Sequence, residues 1–347
     1  MQTAVKTGLI FSATYFNSFL RVSQVVKTPI YLRKRRLQWY DYDMIQDIAP
    51  HRFDNRFIPG RQPSPDSIAL LFCGEDLLLR RMPDNSFSLC TYNELSEAVP
   101  EISSCPCFFL FALDGTDWFL IYEKDASAVS WELEGNGSSD VNHDKDHALL
   151  VRCSLTALRR QQLLPRHKVF AALTAAHLNR WYHENRYCGT CAAETAHAPD
   201  ERAMECPSCK RRIYPKIMPA VIVAVTNGDE IVLTRYANRP FAYHALVAGF
   251  NEIGETLEET VRREVMEEIG LKVKNIRYYK SQPWAIAGDV LAGYFCDVDG
   301  DPAIRVDEQE LKEALWVKRE DVDGQPDDFS LTNEMMMVFK AGKEPRA

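Results

Sequence analysis

The sequence predicts an α+β protein with a β-rich N-terminal domain, a four-cysteine zinc ribbon and a C-terminal mixed α/β sandwich. Short apolar runs broken by turn residues fill the first region, two C-x2-C knuckles follow, and strand-like and helical runs alternate irregularly beyond them. At 347 residues the chain is too long for one small core. The expected organisation is a basic extension over 1–43, a β-rich domain over 44–165, a linking helix over 166–187, a ribbon over 188–213 and the sandwich over 214–347.

Composition narrows the function classes. With 46% hydrophobic and 26% charged residues, the chain is that of an ordinary soluble globular protein. A net charge of -8 and a pI near 5.6 exclude a global basic surface for nucleic acid and leave only local patches. No apolar run reaches the roughly 18–20 residues of a membrane span, so no membrane partner is expected and the cytoplasm is the expected compartment. The first forty residues carry Lys6, Arg21, Lys27 and a basic run at 33–36, with no acid before Asp41. Such a start resembles an organelle transit peptide; the plainer reading is a loosely attached basic extension, or a start codon upstream of the true one at Met44. Ten cysteines without a secretory signal point to a reducing compartment. Cys73, Cys90, Cys153 and Cys296 read as packed small hydrophobes, and Cys105 and Cys107 as structural.

Along the chain, 107–113 and 118–122 flank Asp114-Gly115, a pair that tolerates the positive φ of a primed hairpin turn. The polar stretch 134–146 reads as a loop. In 166–184, Val169, Phe170, Leu173, His177 and Trp181 recur at three and four residues, marking an amphipathic helix. His177 and His183 on it read as packed or solvated side chains. A second hairpin is expected from 221–226 and 231–236 around Asn227-Gly228. Strands are expected at 244–248, 276–280, 290–296 and 314–318, and helices at 256–269 and 331–340.

Cys188-Gly-Thr-Cys191 and Cys206-Pro-Ser-Cys209 each aim two thiolates at one point, and together complete the tetrahedral S4 shell that Zn²⁺ prefers. Four soft ligands leave no open coordination position, so this zinc is expected to be structural, one per chain. Redox dithiols, or a nucleic-acid-binding ribbon helped by Lys210, Arg211 and Arg212, are the rival readings.

The helix at 256–269 has Thr256 as a candidate cap and Gly270 as a natural stop. Leu257, Val261, Val265 and Ile269 form its apolar stripe. At 100° per residue Glu268 falls inside that stripe, Glu264 at its edge and Glu267 about 60° beyond. Two carboxylates about 5–6 Å apart at an effective dielectric near 20 repel by about 3 kcal/mol. Arg263 can neutralise one of them, but it lies about 100° from Glu264 and reaches more naturally toward Glu255. A hard divalent cation, Mg²⁺ or Mn²⁺, is the better compensation, because it takes carboxylate and phosphate oxygens together.

Gly249, Glu255 and the run Arg263-Glu264-Val265-Met266-Glu267-Glu268-Ile269-Gly270-Leu271 fill every position of the Nudix box, and the chain resembles a Nudix hydrolase. A ribbon directly before that domain, Tyr214-Pro215-Lys216 at the junction, and Ser281-Gln282-Pro283-Trp284 after the box resemble the NADH pyrophosphatase (NAD diphosphatase) family over about 44–340. The resemblance implies a Nudix α/β/α sandwich with a mixed sheet over 214–347. It implies that Glu264, Glu268, Glu310 and the carbonyl of Ala248 bind metal, and that Glu264, Glu267, Glu268 and Glu310 serve catalysis. Gly249, Glu255 and Arg263 would support the box. Tyr214, Phe250, Gln282, Pro283, Trp284 and Asp289 would contact substrate, with 282–289 as the specificity loop. The implied reaction is hydrolysis of NADH or NAD to NMNH or NMN and AMP by a homodimer with shared pockets, with an NAD-capped RNA 5′ end as a further substrate. Rivals are a Nudix hydrolase of ADP-ribose or another nucleoside diphosphate derivative, and a non-catalytic binder of nucleotide or nucleic acid. Two departures stand out. After Trp284 the family's Pro-Phe-Pro-x-Ser is replaced by Ala285-Ile286-Ala287-Gly288-Asp289, which is expected to loosen the loop and adds a negative charge, whereas Ala192 in place of a common glycine reads as minor.

Overall fold

The computed structural model describes residues 44–122, 149–237, 243–326 and 329–347. The expected basic extension over 1–43 and the polar loop at 134–146 lie outside them. Among the described residues, no helix is long and apolar enough to cross a membrane.

The first region is built from β1 (Phe53–Asp54), β2 (Ile68–Cys73), β3 (Asp76–Arg81), β4 (Phe87–Ser88), helix α1 (Tyr92–Ala98), β5 (Cys107–Leu113), β6 (Thr116–Ile121) and β7 (Leu149–Cys153). These strands form a seven-stranded sheet in the order β1-β5-β6-β2-β3-β4, with β7 on β3. The β5–β6 hairpin is the expected one: Leu113 pairs with Thr116, and Asp114 and Gly115 take φ of 52° and 82°. Helix α2 (Leu155–Arg160), capped by the Ser154 side chain, then leads to α3 (Arg166–Glu184).

Helix α3 spans the expected residues but is buried over more of its circumference than its amphipathic pattern shows. Besides Val169, Leu173 and Trp181, the small residues Ala171, Ala172, Ala175 and Ala176 are buried, and they pack in one core with Leu70, Phe111 and Trp118 of the sheet. Alanine carries no hydrophobic signal strong enough to reveal a close approach, yet its small side chain is what permits one.

Past α3, β8 (Ala196–His197), β9 (Met204–Glu205) and β10 (Arg212–Ile213) make a three-stranded antiparallel sheet around the cysteine knuckles. The last region contains β11 (Met218–Asn227), β12 (Glu230–Tyr236), β13 (Val247–Phe250), α4 (Leu257–Ile269), β14 (Val273–Trp284), β15 (Asp289–Val298), β16 (Leu311–Lys318) and α5 (Leu331–Lys340). Its six-stranded mixed sheet runs β14-β15-β11-β12-β16, with β13 on β11 and only the β11–β15 pair parallel. The pairing Asn227↔Glu230 centres the hairpin turn on Gly228-Asp229, one residue later than the sequence suggests.

Residue parity places a helix on each sheet face. Val221, Val223 and Val225 share a core with Val261, Val265 and Ile269 of α4. On the other face, a side chain at Gly293 would run into Met335 and Leu331 of α5. The result is an α/β/α sandwich.

Candidate active site and zinc ribbon

The site begins with how α4 is held. The Thr256 hydroxyl accepts from the Glu259 amide at 3.2 Å while the Glu259 carboxylate accepts from the Thr256 amide at 2.7 Å, a reciprocal capping box. Gly270 ends the helix at φ 68°, where other residues are strained. Between these ends the carboxylates fall as helical rotation requires: Glu268 is 2% exposed and Glu264 8%, while the Glu267 side chain is 58% exposed.

Strand β13 supplies the other wall. It pairs with β11 over Ala220–Val223, the stretch of β11 that β12 leaves uncovered, and so carries Ala248, Gly249 and Phe250 past the helix. The Glu264 carboxyl lies against the Cα of Gly249 so closely that a Cβ there would sit 1.9 Å from its Cδ. Glycine is required at this position by close approach, not by a special φ.

Arg263 ties these parts together. Its Nε and Nη2 donate to the two oxygens of Glu255 at 2.7 and 2.9 Å, and Nη2 also donates to the Phe250 carbonyl at 2.8 Å. Contrary to the expectation that it would turn from Glu264, its Nη1 donates to Glu264 at 2.7 Å and to Glu267 at 3.0 Å. A long guanidinium side chain spans the 100° of helix that separates the Cα positions. The hydrogen bonds from Arg263 hold the Glu255 carboxyl down at about 2, with Thr260 and the Glu252 amide donating as well.

Glu268 has the opposite environment. Burial pushes its carboxyl up to about 8, the nearby Glu264, Glu310 and Asp307 push in the same direction, and the Ala248 amide opposes them through a hydrogen bond. Its second oxygen, Oε2, has no hydrogen-bond partner. Burial also raises Glu264, against the pull of Arg263. A buried carboxylate oxygen without a donor, beside a second carboxyl fitted against bare backbone, suits a divalent cation and is costly without one.

Ala248 and Gly249, which touch these carboxyls, also line a cleft of about 560 Å³ with Phe250, Trp284, Asp289 and, from α2, Thr156, Arg159 and Arg160. The α2 residues carried no sequence signal beyond two arginines in the last turn of a short helix. Arg159 places its guanidinium 5.2 Å from the centre of the Trp284 ring.

Three residues expected at the substrate lie elsewhere. Gln282 is fully buried: Oε1 accepts from the Leu331 amide at 2.8 Å and Nε2 donates to the Phe329 carbonyl at 2.8 Å, so it anchors the start of α5. Pro283 borders a separate crevice beside Ile45 and Phe170. Tyr214 is 55% exposed, does not line the cleft, and donates from its hydroxyl to Glu201 at 2.9 Å. The loop after Trp284 is also pinned rather than loosened. The Ala287 and Gly288 amides donate to the Trp284 carbonyl, the Gly288 carbonyl accepts from Met218, and Arg180 donates to the Ile286 carbonyl.

In the ribbon, the sulfurs of Cys188, Cys191, Cys206 and Cys209 lie within 4.8 Å of one another, with Cys188–Cys209 at 3.6 Å and Cys191–Cys206 at 3.4 Å. Thiolates around a tetrahedral zinc stand roughly 3.8 Å apart, so the four fit the ion with little movement. The Thr190 and Cys191 amides pull the Cys188 thiol down to about 6, favouring the thiolate that binds metal. Two of the three basic residues beside the last knuckle are occupied: Arg212 pairs with Asp200, Glu201 and Glu205, and Arg211 donates to Thr190. Ala192 takes φ 58°, so its replacement of glycine costs roughly 1–2 kcal/mol and is not minor.

Fold and box together define a Nudix hydrolase domain, and residues 216–336 match the family described as "NUDIX domain". Residues 183–214 match the "NADH pyrophosphatase zinc ribbon domain". The two matches lie side by side over residues 183–336, the ribbon directly before the NUDIX domain. Among its relatives, the NAD-capped RNA hydrolase NudC of Actinobacillus succinogenes is 44% identical over 168 residues, covering 46% of this chain and 63% of the relative. The protein of that name from Escherichia coli O1:K1 / APEC is 41% identical over 145 residues, covering 42% and 56%. The match thus spans less than two thirds of these relatives' length. A Nudix hydrolase structure from Nitrosomonas europaea, 18% identical, overlaps 45% of this chain and 90% of its own with a TM-score of 0.40.

Proposed function

We propose that the protein hydrolyses the pyrophosphate bond of NADH or NAD, releasing NMNH or NMN and AMP, and that it acts as a homodimer. An NAD-capped RNA 5′ end carries the same bond and is the second substrate of this reading, supported by the names of the relatives. The observation that carries the proposal is the unpartnered Oε2 of buried Glu268, whose carboxylate accepts from the amide of Ala248, a residue that also lines the cleft with Trp284.

In this reading Glu264, Glu268, Glu310 and the Ala248 carbonyl hold Mg²⁺ or Mn²⁺. When bound, the cation supplies positive charge to pyrophosphate oxygens and activates water. The chain's own residues do the rest. Arg263 fixes the carboxyl of Glu264 and steadies Glu267, so neither spends the reaction searching rotamers. Glu267 or Glu268 accepts the proton of the attacking water. Phe250 and Trp284 provide apolar faces that position the rings flanking the pyrophosphate. Tyr214 lies outside its own chain's cleft, and in the homodimer it would face the partner subunit's pocket.

The test is incubation with Mg²⁺ or Mn²⁺ and, separately, NADH, NAD and ADP-ribose, followed by mass identification of products. AMP with NMNH is expected, with Glu268→Gln lowering kcat on the order of 10²–10⁴-fold if Glu268 is the base. Absence of turnover of every dinucleotide, or full activity in Glu268→Gln, would overturn the proposal.

A further inference from the structure

We infer that His51, Asp114 and His167 form a metal site separate from the ribbon and from the box carboxylates, one that takes Zn²⁺ or a similar late first-row divalent cation. The site stands on the first sheet and α3 and does not depend on the proposed reaction.

Three segments distant in sequence meet there. His51 lies in the segment just ahead of β1, Asp114 in the β5–β6 hairpin turn, and His167 in the first turn of α3. The pairing of β1 with β5 sets Phe53 opposite Leu113 and so brings the hairpin turn back to the segment that holds His51. There the Asp114 amide donates to the Arg52 carbonyl at 2.9 Å, and the Arg52 amide donates to Asp114 Oδ1 at 2.8 Å. Asp114 Oδ2 is left facing His51, 2.7 Å from its Nδ1. Ile48, Leu113 and Val169, each close in sequence to one of the three residues, are buried in a single core. Packing therefore sets the positions of the ligands before any ion arrives.

The two imidazoles stack, with ring centres 3.5 Å apart and planes 21° apart. One ligand atom from each of the three residues lies within 4.8 Å of the other two. Nitrogen and oxygen ligands about 2.0–2.1 Å from a tetrahedral zinc stand roughly 3.3 Å from one another, so side-chain rotation closes the shell. The His51 and Asp114 side chains are 36% and 45% exposed and have room to turn. The cation takes the place of the proton between Nδ1 and Oδ2, and that proton moves to Nε2 of the same ring. Rings this close resist carrying charge together, and burial also lowers His167 from its ordinary value, so a neutral nitrogen lone pair is available. Two imidazoles and one carboxylate suit zinc and its late first-row neighbours, whereas Mg²⁺ prefers an oxygen shell. A bound ion clips the segment before β1 and the β5–β6 turn to the start of α3, and so stabilises the first region.

The experiment uses the full chain with its ribbon loaded with zinc and with Mg²⁺ in large excess to occupy the carboxylates. Zn²⁺ is titrated in by calorimetry, and bound metal is counted by elemental analysis. Wild type is expected to take up one zinc beyond that of the ribbon. His167→Gln and Asp114→Asn should each weaken that uptake at least about tenfold, since even an indirect partner of a metal ligand is worth that much, and should leave the ribbon zinc in place. Asparagine tolerates the positive φ of position 114 and can still accept from the Arg52 amide, so the hairpin is kept. Thermal melts read the same event: added zinc should raise the Tm of wild type and raise that of either variant less. Histidine NMR needs no variant, and two ring systems should shift together as the added zinc binds. No zinc beyond the ribbon's, uptake unchanged in both variants, or ring resonances that stay in place would overturn the inference.

Discussion

Glu268 concentrates the chemistry of the site into one side chain. Its carboxyl, ordinarily near 4.5, is raised to about 8, so folding favours the protonated form and resists ionisation between those values. A cation must displace that proton below pH 8. The apparent affinity for Mn²⁺ should therefore weaken as pH falls, approaching tenfold per unit between 8 and 6, and level off above about 8.5. Titration calorimetry across that range reads it directly, and a pH-independent affinity would remove Glu268 from the ligand set. The inward aim of Glu268 was legible in the sequence because helical rotation is rigid. The grip of Arg263 on Glu264 was not, because a flexible guanidinium is not confined to the angular sector of its Cα.

At the scale of elements, Gln282 shows how a motif position can serve structure. Its amide is sandwiched between the last turn before α5 and the first amide of that helix, a donor that has no intrahelical partner. Gln282→Leu would bury the Leu331 amide unmatched and leave the Phe329 carbonyl only the 3.4 Å bond from the Ile45 amide, and should cost about 1–3 kcal/mol, the range for one such group. Urea unfolding would show a lower midpoint with an unchanged slope; intact stability with a raised KM would return Gln282 to the substrate site. Both caps of α4 and both hairpins, the second with its turn expected one residue early, could be read in advance, because caps and positive-φ turns are local. The pairing of β13 with β11 and the tethers from Met218 and Arg180 to the 285–288 turn could not, since their partners lie tens of residues away. The cleft wall from α2 was invisible for the same reason.

On the scale of the whole molecule, charge poses a problem that two regions answer together. The chain carries a net charge of -8, and the proposed metal site adds Glu264, Glu267 and Glu268 of α4, yet the proposed substrate is a pyrophosphate anion. Among the described residues lining the cleft, the cations are Arg159 and Arg160, both from α2, which follows the first sheet rather than belonging to the sandwich. Arg160 reaches the Tyr243 hydroxyl at 3.4 Å across that boundary. A cation at a cleft mouth raises the local concentration of an anion and acts over about 8–10 Å at moderate salt. Arg160→Gln should therefore raise KM for NADH roughly 3–10-fold at low salt and change kcat little, because the side chain borders the entry and not the carboxylates. The wild-type advantage should also fade as ionic strength rises to about 0.5 M, where the screening length becomes shorter than the cleft. Steady-state kinetics over a salt series would check it, and a loss of kcat with no salt dependence would place Arg160 in the chemical step instead of the approach.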